Sequence, residues 1–159
     1  MKQRILFVCL GNICRSPAAH GIMEQVVKNR NMEEVVEIDS AGTYGGHAGE
    51  LPDYRMRSAA SQRGYNLTHR SRKFREDDLY DFDKIIVMDD MNYENVSRMA
   101  PQRSYLDKVY RFVEFCCNYP DRSYVPDPYY EGREGFELVL DMLEDGCEHL
   151  ADKIFEEMK

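Results

Sequence analysis

Residues 4–8, Arg-Ile-Leu-Phe-Val, form a short apolar run that breaks off at Cys9-Leu10-Gly11-Asn12-Ile13-Cys14-Arg15, after which Ser16-Pro17 opens a helical pattern. A run this short and this apolar is expected of a strand buried on both faces. A hydroxyl residue followed by proline is a helix start, with Ser16 read as the cap and Pro17 as the first helical residue. Ala19, Ile22, Met23 and Val26 then recur at helical spacing. Strand, tight loop and helix in that order commit the chain to a parallel sheet, because a helix leaving one strand end returns the chain to start the next strand alongside.

The rest of the sequence fits that frame. "VVEIDSAG" reads as a second strand, "DYRMRSAASQRG" as a helix from an Asp53 cap to a Gly64 terminator, "KIIVMDD" as a third strand and "MNYENVSRM" as a short helix. "KVYRFVEF" reads as a fourth strand, closed by Cys116 and Cys117. Phe136, Val139, Leu140, Leu143, Cys147, Leu150, Ile154 and Met158 repeat at three- and four-residue steps, the pattern of a long amphipathic helix with Cys147 in its apolar face. The expected fold is α/β, a three-layer sandwich in which helices flank a four-stranded parallel sheet. With 159 residues and neither internal repeat nor linker, residues 1–159 are expected to form one domain.

Composition narrows the function. A net charge of -8 argues against a nucleic-acid surface, which needs clustered cations. No apolar run is long enough to cross a membrane. Five cysteines at irregular spacing fit neither a disulfide framework nor a zinc pattern, and the expected compartment is the cytoplasm. "TYGGHAGELP" lacks a nucleotide-binding fingerprint and reads as a solvated loop. "CCNYPDRSYVPDPYYEGREG" is too long and aperiodic to be an idle connector.

The first loop lies where ligands bind in such sheets, at the carboxyl edge against a helix N-terminus. Gly11 and Asn12 are residue types that tolerate left-handed backbone, which would let successive N–H groups converge on one anion. Arg15 supplies a planar fork for two phosphate oxygens. Cys9, facing this cradle, should ionise below the free-thiol value of about 8.5. A thiolate opposite a bound phosphate ester implies attack on phosphorus and a cysteinyl-phosphate, and expelling the alcohol then calls for a proton donor.

Together, "VCLGNICRSP", "DSAGT", "HRSRK", "VMDDMN" and "DPYY" make the chain resemble the low-molecular-weight protein tyrosine phosphatases over essentially its whole length. The resemblance implies hydrolysis of phosphotyrosine, with Cys9 as nucleophile, Arg15 as phosphate clamp and Asp127 as general acid and then base. It implies a phosphate loop of Leu10, Gly11, Asn12, Ile13, Cys14, Arg15 and Ser16, in which Ser16 bonds the Cys9 sulfur and Ser40 and His69 help Asn12 hold the backbone. Tyr44, Tyr129 and Tyr130, with Leu10 and Ile13, would wall a slot for the substrate ring. Cys14 would be a redox guard able to form a disulfide with Cys9. No metal and no cofactor is implied. The expected partners are a phosphotyrosyl protein and, as competitors, phosphate or other oxyanions, bound by a monomer or a weak dimer. Two other functions fit the loop. A thiol-dependent arsenate reductase would need relay cysteines, and "VMDDMNYENVSRM" has none; a non-catalytic phosphotyrosine-binding module would need neither Cys9 nor Asp127.

Overall fold

The computed structural model describes residues 2–159. Four strands, β1 (Gln3–Cys9), β2 (Val36–Gly42), β3 (Lys84–Val87) and β4 (Val109–Arg111), form one parallel sheet in the order β2-β1-β3-β4. The helices are α1 (Arg15–Asn29), α2 (Tyr54–Gln62), α3 (Asp78–Asp81), α4 (Asp90–Met99) and α5 (Arg133–Glu157). Alternation along β1 sorts the core into two layers. Ile5, Phe7 and Cys9 join α1, α2 and α5 on one face, while Leu6 and Val8 join α3 and α4 on the other. β1 lies between β2 and β3, so its residues Ile5–Val8 are fully buried, as an apolar run without polar alternation requires.

Three boundaries differ from the sequence reading. "KIIVMDD" is a strand only through Val87, because Asp89 caps α4, which begins at Asp90. "KVYRFVEF" is a strand for three residues only, because β3 ends at Val87, opposite Arg111. The chain then tightens into a 3₁₀ turn, Phe112–Phe115, with the Glu114 carboxylate accepting from the Arg111 N–H at 2.7 Å. Phe112 and Phe115, three apart, thereby share one face toward α5. Gly146 of α5 leaves room for the Phe112 ring, since a Cβ there would lie 2.2 Å from it. Cys116 and Cys117 therefore follow a turn rather than close a strand.

Helix α1 begins at Arg15, one residue before the expected cap, with Cys14 at the capping position and no side-chain cap. Ser16 and Pro17 fall in the first turn, where a missing proline N–H costs nothing because those donors lack intrahelical partners anyway. The Ser16 hydroxyl is engaged elsewhere, with Cys9 and Asn12. Other boundaries agree: Asp53 caps α2 by accepting from the Arg55 N–H at 2.8 Å, and Gly64 follows it at φ +91°. Helix α5 starts three residues ahead of Phe136 and stops before Met158, which is exposed.

Candidate active site

β1 delivers Cys9 to the carboxyl edge of the sheet, and residues 10–14 turn back into α1. Asn12 makes that turn at φ +56°, a left-handed conformation for which asparagine is among the few suitable residues. Gly11 is not left-handed. A Cβ there would come within 3.1 Å of the His47 ring, a tight contact that glycine avoids. At Gly42 a Cβ would lie 2.7 Å from the Leu10 carbonyl oxygen and 2.9 Å from the Asn12 nitrogen, all backbone and unable to yield. The end of β2 thus presses on the loop, and Thr43 and Tyr44 N–H groups donate to the Cys9 and Leu10 carbonyls at 3.0 and 2.8 Å.

Asn12, fully buried, ties the turn to two elements. Its Oδ1 accepts from the Arg72 N–H at 3.1 Å and lies 3.1 Å from His69 Nε2, while its Nδ2 donates to Ser16 Oγ at 2.7 Å. Ser16 Oγ in turn sits 3.0 Å from Cys9 Sγ. His69 thus braces Asn12 directly. Ser40 does not: its hydroxyl lies 3.1 Å from His20 Nδ1, and the His20 ring stacks on His69 at 4.8 Å between centroids. Burial, with His20 and Arg72, lowers the His69 pKa below its ordinary 6.5, against an opposite pull from Asp39 and the Ser40 backbone. Ser71 adds a brace that motif reading passed over, donating to the Gly11 carbonyl at 3.0 Å.

Arg15 is 2 % exposed, and its guanidinium is fixed by Asp89 Oδ2 at 2.7 Å and by the Val125 carbonyl at 2.9 Å. Burial alone would lower its pKa, but the Cys9 sulfur, the Asp89 hydrogen bond and Asp127 outweigh it, so the group is held charged above its ordinary value. Asp89 also caps α4, accepting from the Asn92 N–H at 2.8 Å. Asp127, between Pro126 and Pro128, accepts from the Tyr129 N–H at 3.1 Å and places its other oxygen 3.7 Å from Arg15 Nη2. Cys14 faces the same space. Burial pushes its thiol pKa far up, and Asp53, Cys9 and Asp127 push the same way.

These groups enclose a pocket of about 250 Å³ that has Cys9, Cys14 and Arg15 among its lining residues. Leu10, Ile13, Tyr44, Tyr129 and Tyr130 line it too, together with Asp127 and His47. Arg55 stacks under Tyr129 and over Phe136, at 5.2 and 4.9 Å from the ring centroids. His47 was passed over because "TYGGHAG" read as a solvated loop; it pairs with Glu50 at 3.0 Å and packs edge-on to Tyr44. Asp89 was passed over because all of "KIIVMDD" read as a strand. Its signal was a pair of acidic residues just past the apolar strand run, in "VMDD".

An anion cradle at a helix N-terminus, a sulfur within it, a buried arginine and a carboxylate at the mouth suit displacement at phosphorus. Among the described residues no helix is long and apolar enough to cross a membrane. The sequence profile of the low molecular weight phosphotyrosine protein phosphatases matches residues 4–159. The low molecular weight protein-tyrosine-phosphatase of Streptomyces coelicolor is 36% identical over 169 aligned positions, spanning 100% of this chain and 98% of its own. The human low molecular weight phosphotyrosine protein phosphatase is 33% identical over 95% of each chain. Among solved structures, a protein tyrosine phosphatase from Entamoeba histolytica, crystallised with Hepes in its active site, superposes with a TM-score of 0.94 at 42% identity, covering 99% of this chain and 100% of that one. This chain belongs to the low molecular weight phosphotyrosine protein phosphatase family.

Proposed function

We propose that this protein hydrolyses phosphotyrosine in proteins, and small aryl phosphates, through a cysteinyl-phosphate on Cys9. The observation that carries the reading is the meeting of Cys9, Arg15 and Asp127 around one pocket, from residues 6 and 112 positions apart along the chain. The Cys9 thiolate attacks phosphorus; the S–P bond forms as the bond from phosphorus to the tyrosyl oxygen breaks. Asp127 gives its proton to that oxygen. In the second half the Asp127 carboxylate takes a proton from water, whose oxygen attacks phosphorus, and the S–P bond breaks to return the thiolate and inorganic phosphate.

Arg15 binds two oxygens of the transferring group, while the loop N–H groups and the α1 N-terminus take up its charge. Ser16, already 3.0 Å from Cys9 Sγ, stabilises the departing thiolate. Leu10, Ile13, Tyr44, Tyr129 and Tyr130 hold the aromatic ring, and a sulfur at the floor of a slot favours phosphotyrosine, whose ring spans a depth that the phosphoserine side chain cannot. Free phosphate and related oxyanions compete for the same cradle. We place the protein in the cytoplasm, acting as a monomer or weak dimer within one domain; its five unpaired thiols fit a reducing compartment.

Hydrolysis of p-nitrophenyl phosphate by the purified protein tests the reading. Cys9→Ser abolishes turnover and Asp127→Ala slows it by about 10²- to 10⁴-fold. Normal turnover in Cys9→Ser overturns the mechanism. Absence of any turnover in the parent protein, with phosphate still bound, favours a binding module. Arsenate reduction that survives Asp127→Ala favours a reductase; Cys116 would not serve it as a relay thiol, since its Sγ is turned onto the Met142 carbonyl at 3.5 Å, inside the core.

A further inference from the structure

A second polar cluster lies behind the phosphate loop, separated from Cys9 by the side chains of Asn12 and Ser16. His20 reaches it from α1, Asp39 from β2, and His69 from the segment after α2. One donor atom from each of the three lies within 4.8 Å of the other two. His20 is 7% exposed, and the other two are half-buried.

Hydrogen bonding determines which nitrogen of His69 carries the proton. The Arg72 backbone N–H can only donate, so Asn12 Oδ1, which receives it at 3.1 Å, is the acceptor end of that amide. His69 Nε2, also 3.1 Å from Oδ1, must therefore be an N–H. In the neutral ring, one N–H at Nε2 leaves Nδ1 as a bare lone pair. That lone pair faces Asp39 Oδ1 at 3.6 Å, a second acceptor, with the His20 imidazole alongside. Arg72 does not relieve this, since its guanidinium bonds the other oxygen, Oδ2, at 3.0 and 3.1 Å. Its charge is shared with Asp78 at 3.0 Å. Asp39 Oδ1 accepts one N–H, from Ser40 at 2.8 Å, and keeps a second lone pair.

We propose that His20, Asp39 and His69 form a binding site for a divalent cation of the Zn²⁺ class. Two imidazole nitrogens and a carboxylate oxygen are donors that Zn²⁺ takes, and imidazole discriminates against Mg²⁺ and Ca²⁺. Zn–N bonds of about 2.0–2.1 Å at tetrahedral angles set two ligands about 3.4 Å apart, so the cluster, whose donor atoms lie within 4.8 Å of one another, closes by an inward turn of the His20 ring. His20 is held only by the Ser40 hydroxyl and by the exposed Glu24 at 3.4 Å. Water takes the fourth position. His69 already has the arrangement of a metal ligand, giving its distal N–H to an oxygen, here Asn12 Oδ1. A bound cation locks that tautomer and with it the chain from His69 through Asn12 and Ser16 to Cys9.

Co²⁺ added to the full chain carrying Cys9→Ser and Cys14→Ser tests the site without pocket thiols. One equivalent binds, with the visible bands of a four-coordinate nitrogen–oxygen site and no thiolate charge-transfer band, and Zn²⁺ displaces it. Adding His20→Gln or Asp39→Asn weakens binding by at least the roughly tenfold that loss of an outer-shell partner costs, with unchanged far-ultraviolet circular dichroism. In ¹⁵N spectra Zn²⁺ shifts His69 Nδ1 while Nε2 keeps its proton, a readout that stands even if a substituted chain fails to fold. Absence of saturable binding, binding indifferent to both substitutions, or loss of the Nε2 proton overturns the proposal.

Discussion

Replacing Asp89 separates two jobs held by one carboxylate. Oδ2 pairs with Arg15 Nη1 at 2.7 Å and Oδ1 caps α4 at 2.8 Å. Removing one partner of a buried ion pair costs about 3–5 kcal/mol because the other charge is stranded. The Arg15 side chain is 3% exposed but Asp89 is 24% exposed, and Arg15 keeps the Val125 carbonyl, so the cost falls to or below the bottom of that range, about 2–3 kcal/mol. Losing the cap adds about 1 kcal/mol. Asp89→Ala therefore destabilises the protein by about 3–4 kcal/mol and Asp89→Asn, which keeps a capping oxygen, by about 2–3 kcal/mol. Urea unfolding reads this as a fall of about 1–2 M in midpoint for the alanine variant at unchanged slope. Both variants lose kcat/KM for p-nitrophenyl phosphate, and by similar factors, since both unfix Arg15. An alanine variant within about 0.5 kcal/mol of the parent, or equal costs for the two substitutions, refutes the reasoning.

Three more outcomes follow from the site. Gly42→Ala drives a Cβ to 2.7 Å from the Leu10 carbonyl, so it costs about 1–3 kcal/mol and lowers turnover together; chemical denaturation and steady-state kinetics on one preparation check it. Because the folded His69 pKa lies below 6.5, the unfolded chain takes up that proton first: its contribution to stability is fully present above pH 6.5 and is lost as pH falls through the lowered folded value. Urea midpoints measured from pH 6.5 downward show this slope in the parent and less of it in His69→Gln. Cys14→Ser retains most turnover but makes peroxide inactivation harder to reverse with dithiothreitol, because sulfenate on Cys9 has no neighbouring thiol to trap it before further oxidation. Since burial keeps Cys14 protonated, trapping in the parent quickens as pH rises.

The strand, loop and helix around Cys9 were legible because each is specified locally: an apolar run, an asparagine at a left-handed turn, and a chain that must then cover the sheet. Arg15 was legible as a planar fork in a loop already suited to an anion. Asp127 was not, since nothing local joins residues 9 and 127, and only the family resemblance supplied the link. Asp89 escaped because its meaning lies in a partner 74 residues away, and locally it is a sufficient helix cap. Gly42 escaped, and Gly11 was named for a left-handed backbone that it does not have, for a related reason: the space at each is set by a neighbour, His47 in one case and the loop backbone in the other. The fourth strand was read too long because "RFVEF" carries β-type residues, whereas its length is limited by where β3 ends.

The Val125 peptide has one further consequence. Its N–H donates to the Met88 carbonyl at 2.9 Å, just past β3, and its own carbonyl receives Arg15 at 2.9 Å, two residues before Asp127. The anion receptor and the proton donor consequently hang from a single rivet, and neither can drift without dragging the other. Damage at either end then propagates as a shared failure, so impairments of Asp89 and Asp127 combine non-additively instead of multiplying as those of separate parts would.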